Sequence, residues 1–147
     1  MTGEHRIPAS REVVWEALND PEVLKACIPG CESIEETGDN TMAADMTAKV
    51  GPVKAKFKVN LQLENLNPPE SYTLTGEGSG GAAGFAKGGA KVMLEEDGDE
   101  TVLRYEASMQ IGGKLAQVGS RLVQGTANKL AGNFFSSFAD HVNKENG

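Results

Sequence analysis

The stretch from Gly112 to Val142 contains no proline and constrains the fold more than any other part of the chain. Leu115, Val118, Leu122, Leu130, Phe134, Phe138 and Val142 recur at three- and four-residue steps, the spacing of one helical face. A helix over residues 114–142 would be about 43 Å long at ~1.5 Å per residue. The apolar stripe is not straight. On a helical wheel Leu115, Val118 and Leu122 lie together, while Phe134, Phe135 and Phe138 are displaced by roughly 100°. Gly119, Gly125 and Gly132 interrupt the segment, each costing about 1 kcal/mol relative to alanine. A bend, or the close approach of a ligand or another backbone, is expected at one of them.

The chain before this helix reads mostly as strands. Gly3 to Pro8 is a short strand. Ser10 can cap a helix carrying Val13, Val14, Ala17 and Leu18. Asp20-Pro21-Glu22 restarts the chain as a second short helix, with a cap, a first-position proline and an acid suited to the dipole. Strands are expected over residues 31–36 and 41–50, across a turn at Gly38-Asp39-Asn40. The clearest strand follows Gly51-Pro52. Val53, Ala55, Phe57, Val59, Leu61 and Leu63 alternate with Lys54, Lys56, Lys58, Asn60, Gln62 and Glu64, so one face is buried and one is wet. Tyr72, Leu74 and Gly76 alternate next. The glycine-rich run from Gly76 to Gly89 reads as a strand end, a loop and a new strand through Ala90, Val92 and Leu94. Leu103, Tyr105, Ala107, Met109 and Ile111 share a face of the last strand. Short turns between successive strands imply one antiparallel sheet of about six or seven strands, with the long helix covering its apolar face.

The 147 residues make a single domain. The net charge of −7 disfavours a nucleic-acid role, and an acidic surface repels anionic lipid. No apolar run approaches the roughly 18 residues of a membrane-spanning helix, and the N-terminus has no apolar signal region, so a cytoplasmic location is expected. Cys27 and Cys31 form a C-x₃-C pair. A zinc site needs further ligands and only His5 and His141 exist, so two reduced thiols are expected and no metal. Gly76-Glu77-Gly78-Ser79-Gly80-Gly81 satisfies G-x-G-x-x-G but precedes a strand, not a helix, so it lacks the dinucleotide-binding context. A flexible strand junction and a loop gating a cavity both fit it. No nucleophile or base motif includes His5 or His141.

A curved sheet gripping one helix leaves apolar space between the layers. Phe57 and Leu61 share the inward face of one strand and Tyr105 and Met109 that of another. Leu115, Val118 and Leu122 are expected to face them across such a space.

Asn19-Asp20-Pro21-Glu22-Val23-Leu24 with Cys27-Ile28-Pro29-Gly30-Cys31 is similar to the CoxG family of carbon monoxide dehydrogenase subunits. So are Lys49-Val50-Gly51-Pro52-Val53, Gly84-Phe85-Ala86-Lys87-Gly88 and the run from Gly113 to Leu122. These motifs fall in family order along essentially the whole chain. The element order also resembles the α+β helix-grip fold of the START, Bet v 1 and polyketide-cyclase (SRPBCC) superfamily: two short helices after the first strand, and a curved antiparallel sheet around a long C-terminal helix.

The resemblance implies a non-enzymatic accessory protein of a molybdenum-containing carbon monoxide dehydrogenase, recruiting that enzyme to the cytoplasmic face of the membrane. Family members commonly carry a C-terminal extension taken as a membrane anchor, and this sequence stops at Asn146-Gly147. An apolar cavity beside a respiratory enzyme suggests an isoprenoid quinone, menaquinone or ubiquinone, as a non-covalent ligand. The Tyr105 hydroxyl or the Gln117 amide would hydrogen-bond its ring. Phe85 is counted with the ligand-binding residues. Arg121, within the helix motif, is expected either in a surface ion pair or in contact with the partner enzyme or the cavity mouth. A carrier of other lipids or polyketide-type molecules, and a cyclase-like enzyme, are the alternatives.

Overall fold

The computed structural model describes residues 2–146, the last three by backbone alone. The elements run β1 (Thr2–Ile7), α1 (Arg11–Leu18), α2 (Pro21–Cys27), β2 (Cys31–Gly38), β3 (Thr41–Val50), β4 (Val53–Asn67), β5 (Ser71–Ser79), a 3₁₀ turn (Gly81–Ala83), β6 (Phe85–Asp97), β7 (Glu100–Gly112), α3 (Lys114–Gln117) and α4 (Ser120–Asn146). The two caps read from sequence form as expected. The Ser10 hydroxyl accepts from the Val13 N–H at 3.4 Å, and Asp20 accepts from the Glu22 N–H at 3.0 Å with Pro21 opening α2.

The seven strands make one antiparallel sheet in the order β1-β7-β6-β5-β4-β3-β2. From β2 to β7, chain order is spatial order, because each tight turn returns the next strand beside the last. Only β1 crosses over, to pair with β7. Lys54, Lys56 and Lys58 face solvent on β4 while Phe57 and Leu63 are buried on its other side.

One feature departs from the sequence reading. The expected single helix over residues 114–142 breaks after one turn. Gly119 sits at φ +100°, a conformation open to glycine, and α4 starts afresh at Ser120. Gly125 and Gly132 lie within α4 without breaking it, and a side chain at either would meet open space. The glycine-rich run from Gly76 to Gly89 forms as read, a strand end, a short loop and a new strand. β5 continues to Ser79 and β6 begins at Phe85, so Gly76, Gly78, Gly88 and Gly89 all sit in the ladder.

The main core lies at the end of the sheet where α1 and α2 pack. Ile7, Val14, Leu103, Phe138 and Val142 are wholly buried there. The C-terminal half of α4 enters it with Phe134, Phe135 and Phe138, where Phe134 and Phe138 stack at 5.7 Å. A second, smaller cluster gathers Val50, Phe57, Ala83 and Leu115 at the opposite end. Tyr72 is buried in the main core with Trp15 edge-on at 5.3 Å.

Phe138→Ala is expected to destabilise the domain by about 3–5 kcal/mol, measured as a lower urea midpoint. Burial holds the Tyr72 hydroxyl well above its ordinary ionisation range. As pH rises past 10, the ordinary tyrosine value, the unfolded chain loses a proton that the folded chain keeps, so stability falls. Tyr72→Phe is expected to flatten that alkaline fall by up to about 1.4 kcal/mol per pH unit, read from urea midpoints across the range.

Candidate functional site: an apolar cavity under the long helix

The inner face of the sheet loses its side chains in the middle. One cross-strand row reads Leu61, Gly76, Gly88, Met109, and the next reads Val59, Gly78, Ala86, Ile111. On the other side lies Leu63, Leu74, Ala90, Ala107. Gly76, Gly78, Ala86, Gly88, Ala90 and Ala107 thus make a patch of glycine and alanine centred on β5 and β6, between the larger side chains of β4 and those of Met109 and Ile111 on β7. Glycine within a strand weakens it and often marks the close approach of a ligand or another backbone. Here the missing side chains hollow out the layer between sheet and helix.

The helix completes the space. Its C-terminal half is held against α1, α2 and β1, while its N-terminal half crosses above the small-residue patch. Val123, Ala127 and Leu130, at helical steps, point down with Ser120, Gln124 and Thr126 beside them. The cavity is about 800 Å³, and its wall is mainly apolar, from Met46, Ala48, Val50, Phe57, Val59 and Leu74 round to Ile111 and Leu115. Its exposed wall residues Met109, Ala116, Ser120 and Gln124 place the mouth between β7 and the start of α4. A second depression of about 730 Å³ lies over Asn60, Gln62, Thr75 and Gln110. The two spaces share Gly76 and Gly88, where the sheet is thinnest.

Of the residues expected at this space, the structure brings together Phe57, Leu61, Met109 and Leu115. The others lie elsewhere. Tyr105 belongs to an aromatic stack with Phe135 at 5.4 Å and His5 at 6.0 Å, on the main-core side. Val118 packs on the smaller cluster, Gln117 is exposed, and Phe85 is 48% exposed with its ring against Gly112. Leu122 is 49% exposed and faces out toward the β3–β4 turn, where its Cδ1 lies 3.3 Å from a Cβ placed on Gly51. The reason is the break at Gly119. It resets the helical phase, so the wheel drawn through Leu115 and Val118 does not continue to Leu122. The cavity-facing set in α4 is instead Ser120, Val123, Ala127 and Leu130, a weakly apolar stripe that hydrophobicity alone does not single out. Arg121 is exposed and makes no ion pair among the described residues.

Little else in the molecule offers reactive chemistry. Cys27 and Cys31 are free thiols, and burial pushes both above the ordinary thiol value. His5 stacks on Phe135 at 4.2 Å, and burial lowers its pKa. Among the described residues no group of three His, Cys, Asp or Glu is placed to hold a metal ion. No described helix is long and apolar enough to cross a membrane.

The fold is shared with proteins of several kinds. A conserved protein from Geobacillus kaustophilus superposes with a TM-score of 0.91 at 32% identity, over 97% of this chain and 94% of that one. A START superfamily protein from Mycobacterium smegmatis gives a TM-score of 0.73 at 11% identity, covering 98% and 97% of the two chains. The Zhui aromatase/cyclase of a Streptomyces species gives 0.68 at 13% identity, covering 100% and 94%. At such low identities the last two show the helix-grip fold alone. Comparison with curated protein sequences gives no match. The family model for CoxG, a carbon monoxide dehydrogenase subunit, matches residues 3–143, nearly the whole chain, and this protein therefore belongs to the CoxG family.

Proposed function

We propose that the domain is a carrier for an apolar small molecule, serving a molybdenum-containing carbon monoxide dehydrogenase or related hydroxylase at the membrane face, and that its ligand is an isoprenoid quinone. The observation that carries this reading is the 800 Å³ apolar cavity beneath the N-terminal half of α4. Its volume falls within the roughly 300–1,000 Å³ of small-molecule sites. Each methylene buried there contributes about 0.8 kcal/mol, so a few isoprene units give useful affinity without any charged contact.

The polar groups that meet the ligand's ring are the Ser120 hydroxyl, the Gln124 amide and the Thr126 hydroxyl, all on the helix wall. They replace Tyr105 and Gln117 in that role, since neither lies in the wall. Among the described residues, Glu77 and Lys87 are the only titratable side chains along the wall, and both belong to the outward-pointing sets of β5 and β6. That arrangement supports binding over acid–base catalysis. Family membership supports the link to the dehydrogenase.

Lipid extraction from the purified protein, followed by mass spectrometry, is expected to yield a quinone. A different lipid or a polyketide-type molecule in its place would point to the general-carrier reading. Gly76→Val fills the cavity floor at a site where the nearest side-chain atom, Leu61 Cδ2, is 3.1 Å from the added Cβ. This variant is expected to bind a short-chain quinone at least about tenfold more weakly in calorimetric titration, a loss of ~1.4 kcal/mol. Leu122→Glu, outside the cavity, is expected to bind it as the parent does. No quinone binding in the parent would overturn the proposal.

A further inference from the structure

The net charge of −7 hides a division of charge along the molecule. The segments 46–63, 78–94 and 107–139 contain no Asp or Glu, and every charged residue in them is Lys or Arg. The β3–β4 turn, the β5–β6 loop and the junction of β7 with α3 and α4, which lie within these segments, form one end of the domain. The β3–β4 turn meets the start of α4 through Gly51 and Leu122, and the β5–β6 loop meets the start of α3, where a Cβ on Gly113 would lie 2.7 Å from the Gly84 Cα. Val50, Ala83 and Leu115 pack together beneath. The acids collect at the other end, in and beside the turns at Asp39, Glu70 and Asp97-Gly98-Asp99.

Lys49, Lys54, Lys114 and Arg121 stand at the basic end and make no ion pair among the described residues. Lys49 and Lys54 are direct cross-strand partners. Like charges placed opposite each other destabilise a sheet, so folding alone does not account for this pair. Between these cations lie large apolar side chains left in solvent: Phe85 at 48%, Met109 at 49% and Leu122 at 49% exposure. Met109 is also part of the cavity mouth.

We propose that this end of the domain docks on an anionic lipid bilayer, with Lys49, Lys54, Lys114 and Arg121 among the headgroups and Phe85 and Leu122 inserted at their level. Basic residues with interspersed exposed apolar groups are the composition that lies in a bilayer interface. The mouth then faces the membrane, and an apolar ligand passes between bilayer and cavity without crossing bulk water. The inference rests on the carrier reading for its purpose and reverses the expectation, drawn from net charge, that the domain is repelled by anionic lipid. The acids nearest these cations oppose docking only in part. Glu32 is engaged by Lys56 at 3.9 Å, and Asp45 and Glu77 stand in register with Lys58 and Lys87.

The test is flotation of the full chain with vesicles of phosphatidylcholine alone, and of phosphatidylcholine with phosphatidylglycerol. The protein is expected to float with the anionic vesicles at ~0.05 M salt, to be released at ~0.5 M, and to ignore the neutral ones. Lys49→Glu/Lys54→Glu is expected to weaken flotation by at least about 25-fold, from ~5-fold per basic residue near an anionic surface. Leu122→Ser is expected to weaken it further. Lys25→Glu, on α2, which packs into the main core, serves as the charge control. Failure of the parent to float, equal flotation of the double variant, or an equal loss in the Lys25 control would each overturn the proposal. If the parent ignores vesicles and the double variant loses capture of the purified dehydrogenase, the surface belongs to an acidic protein face instead. Quinone titration of the same variants separates the two readings. Lost flotation with retained quinone binding isolates the docking surface, whereas flotation without quinone binding upholds docking and overturns the carrier.

Discussion

The structure depends on a helix held firmly at one end. Phe138 and Val142 are wholly buried among α1, α2 and β1, with Phe134 and Phe135 packed beside them. Aromatic burial of that size dominates the energetics of a core, and it fixes the direction of α4 across the sheet. The first turns of the same helix do not reach the sheet with comparable bulk. Ser120, Val123, Gln124 and Ala127 are small or polar, and the strands opposite offer glycine and alanine. Two layers held apart by large residues at one end, with small residues between them further along, must enclose a space. The cavity therefore follows from where the volume is missing as much as from what lines it.

That division carries a cost to the sheet that tertiary context absorbs. Glycine in a strand weakens it, yet Gly76 and Gly88 face each other in the centre of the sheet. The ladder around them is continuous from β2 through β7, so neighbouring strands hold these positions extended. The weakest strand sequence is thus placed where a wall is needed and a side chain is not. The tight approach of Gly84 to Gly113 serves a related end, joining the last strand, the 3₁₀ turn and α3 into the rim of the mouth.

Charge follows the same axis. The packed end of the domain carries the acids and the hollow end the unpaired cations. Net charge sums over both and describes neither, because a surface is met over distances near the Debye length of about 8 Å, not over a whole domain. The apolar side chains exposed at the hollow end lie in that local basic field.

Periodicity alone was enough to read the layers of this protein. The two-residue alternation of β4 and the caps at Ser10 and Asp20 are local signals, and they formed as read. The motifs from Asn19 to Leu122 were also enough to indicate the family. Four lining residues, Phe57, Leu61, Met109 and Leu115, were legible because each sits on an apolar face of its own element. The rest of the wall was not, for two reasons. A glycine or alanine contributes to a cavity by what it lacks, and only cross-strand register shows that Gly76, Gly88, Ala90 and Ala107 fall in one patch. The helical wheel also assumes one unbroken phase. The left-handed Gly119 resets it, turning Leu122 outward and Val123, Ala127 and Leu130 inward. Local sequence determined which elements form and which of their faces are apolar. The tertiary structure alone decided where those faces fail to meet, because register and helix phase depend on contacts between residues far apart in the chain.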